Sequence, residues 1–124
     1  MTHTPDNIES LPRNSVFVFG SNLAGNHAGG AARVAYQKFG AVMGIAEGLV
    51  GQSYAFPTLD ESYQQLSEDE LVRAVVAFRT TAEALPGVTF YLTKVGCGIA
   101  GFDESYIRQI FTDTPQNVIK PLGW

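Results

Sequence analysis

Apolar positions along this chain fall into two patterns. Some are continuous. Val16-Phe17-Val18-Phe19 is an unbroken run of β-branched and aromatic residues halted by Gly20. A run without alternation predicts a strand covered on both faces, as in a parallel sheet. Tyr54-Ala55-Phe56-Pro57 predicts a second short strand with Pro57 marking its end. Val88 to Val95 predicts a third, and Asn117 to Lys120 a last one before Pro121. The other pattern is spaced. Ala31, Val34, Ala35, Lys38 and Phe39 recur at helical intervals, with Gly40 placed to cap the C-terminus. Leu71, Val75, Phe78, Ala82 and Leu85 form one helical stripe, opened by Ser67 and Glu70 as a capping box and closed by Pro86-Gly87. Asp103 to Phe111 predicts a short helix with Ile107, Ile110 and Phe111 turned inward.

Residues 40–52 are interrupted by glycine and carry no pattern that assigns them. Met1 to Asn14 has no period and reads as a lead-in segment. Strands and helices alternate, so the expected architecture is one α/β domain over residues 1–124. Its central sheet is mostly parallel, with helices on both faces.

Composition narrows the function. At 124 residues, 45% hydrophobic and 16% charged, the chain is long and apolar enough to bury a core. Eight basic against twelve acidic residues give a net charge of −4 with no basic cluster, which argues against an extended nucleic acid as partner. A single nucleotide, held by a few backbone donors, is not excluded. One cysteine and two distant histidines provide neither a disulfide nor a zinc site of ordinary spacing, so no metal or cofactor is expected. No apolar run approaches the ~20 residues of a membrane span. The segment Met1 to Ser10 is polar and acidic, unlike a secretory leader. A cytoplasmic protein with no membrane partner is the expectation.

Glycine placement carries the candidate chemistry. The thirteen glycines concentrate in residues 20–51 and 96–101. One cluster, Gly20-Ser21-Asn22 through Ala28-Gly29-Gly30, follows the first strand. The other, Gly96-Cys97-Gly98-Ile99-Ala100-Gly101-Phe102, follows the third. Ligands of open α/β sheets bind at such strand-to-helix loops. Glycine lets a ligand approach the backbone, and the helix that follows offers unpaired N–H groups to phosphate. Two such loops side by side can grip a diphosphate without Lys or Arg. The competing reading is that the glycines only make tight turns. Neither a P-loop nor the dinucleotide fingerprint is present.

These segments resemble the macro domain, the ADP-ribose-binding fold, over most of residues 15–120. Ser15-Val16-Phe17-Val18-Phe19-Gly20-Ser21-Asn22 looks like the family's first core strand, which implies Asn22 beside the distal ribose. Ala28-Gly29-Gly30-Ala31-Ala32 through Phe39-Gly40 resembles its glycine-rich helix start. Val95 to Phe102 is similar to its phosphate loop, with Phe102 flanking the distal ribose. The wording Val95-Gly96-Cys97-Gly98-Ile99 is nearest to the terminal ADP-ribose protein glycohydrolase branch. The resemblance implies a three-layer α/β/α fold. It also implies a site for ADP-ribose or a related nucleotide formed by Gly20, Ser21, Asn22, Ala28, Gly29, Gly30 and residues 96–102.

The family's acidic residues are replaced here. Ser15 stands where many members hold adenine with an Asp, and Ala32 and Ala100 stand where hydrolytic branches carry acids; no matching Lys is found in a loop. Binding is therefore the leading expectation. A hydrolase acting on an ADP-ribosylated protein or a ribose phosphate would need Asp103 or His27 as a non-standard acid or base. Asp103 reads first as a helix cap, and His27 equally as an exposed loop residue. Cys97 reads as a small packed residue before a nucleophile. Asp60, Glu61 and Tyr63 follow the second strand and can reach the same rim. Tyr54, Tyr63 and Tyr106 are candidates for stacking on a base, and Arg33 for turning toward a phosphate. The third alternative is a protein-interaction domain with no nucleotide.

Overall fold

Strand β1 (Ser15–Asn22) leads through helix α1 (Gly30–Lys38) to β2 (Gly48–Val50) and β3 (Ser53–Leu59). Helix α2 (Glu68–Ala84), β4 (Thr89–Leu92), α3 (Glu104–Ile110) and β5 (Val118–Ile119) complete the order. The computed structural model describes residues 3–124; Met1 and Thr2 of the lead-in segment lie outside the described residues. The strands form one sheet in the order β2-β3-β1-β4-β5. Every neighbouring pair is parallel except β2 with β3. Among the described residues no helix is long and apolar enough to cross a membrane.

β1 lies at the centre because its side chains are apolar in both directions. Val16 and Val18 join one cluster with Leu71, Val75 and Phe78 of α2 and Ile107 of α3. Phe17 and Phe19 turn the other way, onto Ala32 and Ala35 of α1, together with Ile8 and Phe39. Each such side chain contributes about 1.5–3 kcal/mol when fully buried. Phe78 organises the first cluster, edge-on to Tyr54 at 5.1 Å and to Phe90 at 5.8 Å.

Boundaries differ from expectation where pairing overrides local composition. β1 runs through Gly20 to Asn22, because β3 continues alongside it: Gly20 is paired with Phe56 and Ser21 with Pro57. Pro57 therefore lies inside β3 and does not end it. Gln52 turns its carbonyl to Phe17 of β1, so by strand alternation Ser53, Ala55 and Pro57 turn outward. β2 pairs no further than Ala55, so the N–H that Pro57 lacks breaks no ladder bond. The unassigned stretch 40–52 contains β2, a three-residue edge strand. The third predicted strand is shorter than Val88 to Val95, ending at Leu92, and residues 93–96 turn into a loop. The last is only Val118–Ile119. Part of the lead-in segment is tied down: Thr4 N–H donates to the Lys120 carbonyl at 2.8 Å, and Ile8 is buried.

Helix ends follow the chemistry written beside them. The Ser67–Glu70 capping box closes α2 in both directions. Gly40, at φ +82, follows the end of α1 in the left-handed conformation, and Ala41 N–H bonds back to the Ala35 carbonyl. The end of α2 is closed instead from a distance. Asn117, just before β5, points its Nδ2 at the carbonyls of Ala82, Leu85 and Val88, at 2.9, 3.0 and 2.9 Å. Asn117→Ala should lower the unfolding free energy by about 2 kcal/mol in urea denaturation, because carbonyls at the end of α2 lose their donor. Asn117→Asp should cost more at neutral pH, since a carboxylate would then face three oxygens.

Candidate functional site

Because β1, β3 and β4 are parallel, their carboxyl ends and the loops after them meet at one edge of the sheet. They wall a cavity of about 460 Å³. Gly20, Ser21 and Asn22 come from the end of β1, and Thr58 and Leu59 from the end of β3. Thr93, Lys94, Val95 and Gly96 follow β4, and Gly98, Ile99 and Ala100 continue its loop. Ala28, Gly29, Gly30, Ala31 and Ala32 bring in the start of α1. The two glycine segments singled out from sequence thus share one cavity. They also face each other: Ile99 Cδ1 lies 3.8 Å from where a side chain on Gly29 would begin.

The first loop is held by its asparagines. Asn22 Nδ2 donates to the Asn26 carbonyl at 2.9 Å, and Asn26 N–H donates back to Asn22 Oδ1 at 3.0 Å. Asn26 Oδ1 accepts from Ala28 N–H, and Asn26 Nδ2 donates to the Tyr63 hydroxyl at 3.2 Å. Asn22 is therefore in the cavity wall but also closes its own loop. The second loop turns at Gly96, whose φ of +77 suits glycine. A Cβ there would stand 3.0 Å from Phe102 Cδ2 and 3.2 Å from Thr58 Cγ2. Gln65 Nε2 ties this loop to the β3 side through the Ala100 carbonyl at 2.8 Å.

The three helix starts differ in a way that matters for charge. α2 has its capping box and three acidic residues in the first turn. α3 is capped by Asp103, whose Oδ1 accepts from Ser105 N–H at 3.1 Å. The expectation that both glycine loops lead into open helix starts is thus corrected: an acid occupies the second. α1 has Gly29 at its N-cap, no side-chain cap and no acid in its first turn. The N–H groups of Gly30, Ala31 and Ala32 lack intrahelical acceptors, and all three residues line the cavity. The N–H groups of Gly98, Ile99 and Ala100 also donate to no group among the described residues.

Of the residues that sequence assigns to the ligand site or to acid–base chemistry, five are not in the wall. Asp103 serves as the cap. His27 is fully buried, not an exposed loop residue; its ring lies edge-on to Phe19 at 5.2 Å. His27 Nε2 reaches the Ile45 carbonyl at 3.0 Å and so carries the proton, which leaves Nδ1 buried without a partner among the described residues. Phe102 stacks on Tyr106 against the α2–α3 core, and Gly101 bonds back to the Gly98 carbonyl. Cys97 is half-buried, its Sγ 3.6 Å from the Val95 carbonyl. Burial first, then the charge of Glu104, pushes its thiol above the ordinary range, against the opposing pull of Lys94.

Of the three tyrosines, Tyr63 joins the wall, with φ +64, while Tyr54 packs in the core. Asp60 holds the turn beneath Tyr63 by accepting from Ser62 and Gln64 N–H. Arg33 is exposed on α1.

Sequence reading missed Thr58, Leu59, Thr93 and Lys94. The first two follow Pro57, which by itself predicts a strand end, and the others sit in the run Val88 to Val95, which predicts a strand. Among the described residues, Lys94 is the one charged residue in the wall. Its ammonium lies 3.2 Å from Glu104, which also accepts from Trp124 Nε1 at 3.0 Å. Those two hydrogen bonds, that from Trp124 foremost, hold the Glu104 carboxyl below its usual range. Among the described residues, no three His, Cys, Asp or Glu side chains gather to hold a metal ion.

The raised thiol makes Cys97 a poor nucleophile at neutral pH. Its alkylation by iodoacetamide at pH 7 should be several-fold slower than that of free cysteine. The rate should keep rising with pH after the free thiol has levelled off.

The chain matches no family model, no curated protein and no solved structure.

Proposed function

We propose that this chain binds ADP-ribose or a related nucleotide diphosphate derivative in the cavity at the carboxyl edge of the sheet. The observation that carries the reading is the pairing of two donor sets across one space. The open start of α1 stands on one side, and the free amides of residues 98–100 on the other. Both sets present partial positive charge, and no carboxylate lies in the wall. A space of about 460 Å³ accommodates a ligand larger than a single phosphate. The resemblance of residues 15–22, 28–40 and 95–102 to the macro domain names the ligand class and a three-layer α/β/α arrangement. The clusters on the two sides of β1 support that arrangement.

In this reading the diphosphate lies between the loops, Asn22 borders the distal ribose, and Tyr63 offers a ring face to the base. Binding is favoured over hydrolysis because neither Asp103 nor His27 is in the wall. Asp103 spends its carboxylate on α3, and His27 is enclosed against Phe19 and Ile45.

Calorimetric titration with ADP-ribose, against AMP and ribose 5-phosphate, tests the reading; selective heat with ADP-ribose is expected, and none with any of the three would refute it. Gly29→Asp sharpens the test. Gly29 has extended φ and ψ of −144 and 164, and a Cβ there meets only Ile99 Cδ1 at 3.8 Å. The new carboxylate would cap α1 and occupy the donors meant for phosphate. Melting temperature should hold or rise, while affinity falls by about tenfold or more. Unchanged affinity would remove the α1 start from the site.

A further inference from the structure

Lys94, in the cavity wall, and Glu104, outside it, form an ion pair. Lys94 follows β4 and anchors the turn into the second glycine loop, its carbonyl accepting from Cys97 N–H at 3.2 Å. Its side chain is 45% exposed and that of Glu104 49%, so the pair is weakly held and open to competition. Glu104 is not free to wander, however. Trp124 Nε1 donates to the same carboxylate oxygen that meets the ammonium, and the Trp124 ring lies against Phe111 at 6.3 Å. The single cation of the cavity wall is therefore parked on a carboxylate that is itself fixed from behind.

We propose that Lys94 reads the charge of the ligand's phosphate groups, and that Glu104, positioned by Trp124, sets how strongly it does so. This rests on the anion-binding reading of the cavity. The backbone amides recognise phosphate by shape and hydrogen bonding. Lys94 adds a full charge whose cost of use is departure from Glu104. An incoming phosphate and the Glu104 carboxylate compete for one ammonium, so Glu104 is a positioning residue that lowers affinity. The competition also links the cavity to Trp124, the only tryptophan of the chain, whose carboxylate partner loses its neutralising ammonium when Lys94 moves.

Titrations with ADP-ribose and with inorganic pyrophosphate, followed by calorimetry and Trp124 emission, test this on the full chain. Lys94→Gln should weaken binding about tenfold and flatten its salt dependence, as expected for loss of one charge-assisted contact. Lys94→Arg should restore binding to within about threefold, because the charge is kept. Glu104→Gln should tighten binding about threefold, because the ammonium is released without loss of shape. Ligand should change Trp124 emission in the unmodified chain and not in Lys94→Gln. Both positions are at the surface, and thermal melts confirm that the variants remain folded. ADP-ribose binding that Lys94→Gln leaves intact, or Glu104→Gln leaves unchanged or weaker, overturns this proposal alone. Binding of pyrophosphate but not ADP-ribose, with the expected variant effects, upholds the role of Lys94 and overturns the nucleotide reading. Binding of neither overturns both.

Discussion

Strand β1 is buried without a break from Ser15 to Phe19. Its edges are bonded to β3 and β4, and its faces are covered by two separate clusters, with Val18 and Phe19 wholly enclosed. Most of the structure depends on this burial. A strand in that position must be apolar on successive residues, so its polar side chains are confined to its ends, Ser15 at the start and the others at the carboxyl end. There the strand leaves the core, and Ser21 and Asn22 appear. The neighbouring strands run in the same direction, so their polar ends arrive beside it, and the cavity forms where all three leave the core.

The cavity wall is built by satisfying polar groups selectively. Asn22, Asn26 and Tyr63 bond to one another or to adjacent backbone, and Gln65 holds the loop opposite. What stays unsatisfied is the start of α1 and the amides of the second loop. The net charge of −4 is spread over surfaces that do not face this space. Among the described residues, none of the chain's carboxylates lines the cavity. A chain acidic overall can thus present a locally positive site.

The second turn of the architecture is the segment 40–47, which closes behind the first loop. Gly25 and Gly44 meet so closely that a Cβ on Gly25 would stand 2.6 Å from the Gly44 backbone. His27 reaches the Ile45 carbonyl, and the Ser21 hydroxyl donates to that of Ala46. His27 belongs to this packing. Its imidazole is spent on holding a neighbouring loop against β1, and the polar wall in front of it is left to the asparagines.

Local signals in the sequence determined the elements whose cause is local. The unbroken apolar run of β1, the stripe and capping box of α2, the Asp103 cap of α3 and Gly40 beyond α1 each act within a few residues, through burial or backbone hydrogen bonds. The two glycine clusters were also legible, because a parallel sheet places successive loops at one edge. Tertiary structure decided what depends on partners far along the chain. β2 exists because β3 offers it an edge, and Pro57 is tolerated because β2 stops short of it. Asn117 closes a helix more than thirty residues away. Lys94 belongs to the cavity because β4 ends two residues before it, where pairing with β1 and β5 gives out. A residue's own neighbours carry no record of such contacts, so only the folded chain distinguishes a lysine in a strand from the one charge, among the described residues, in the cavity wall.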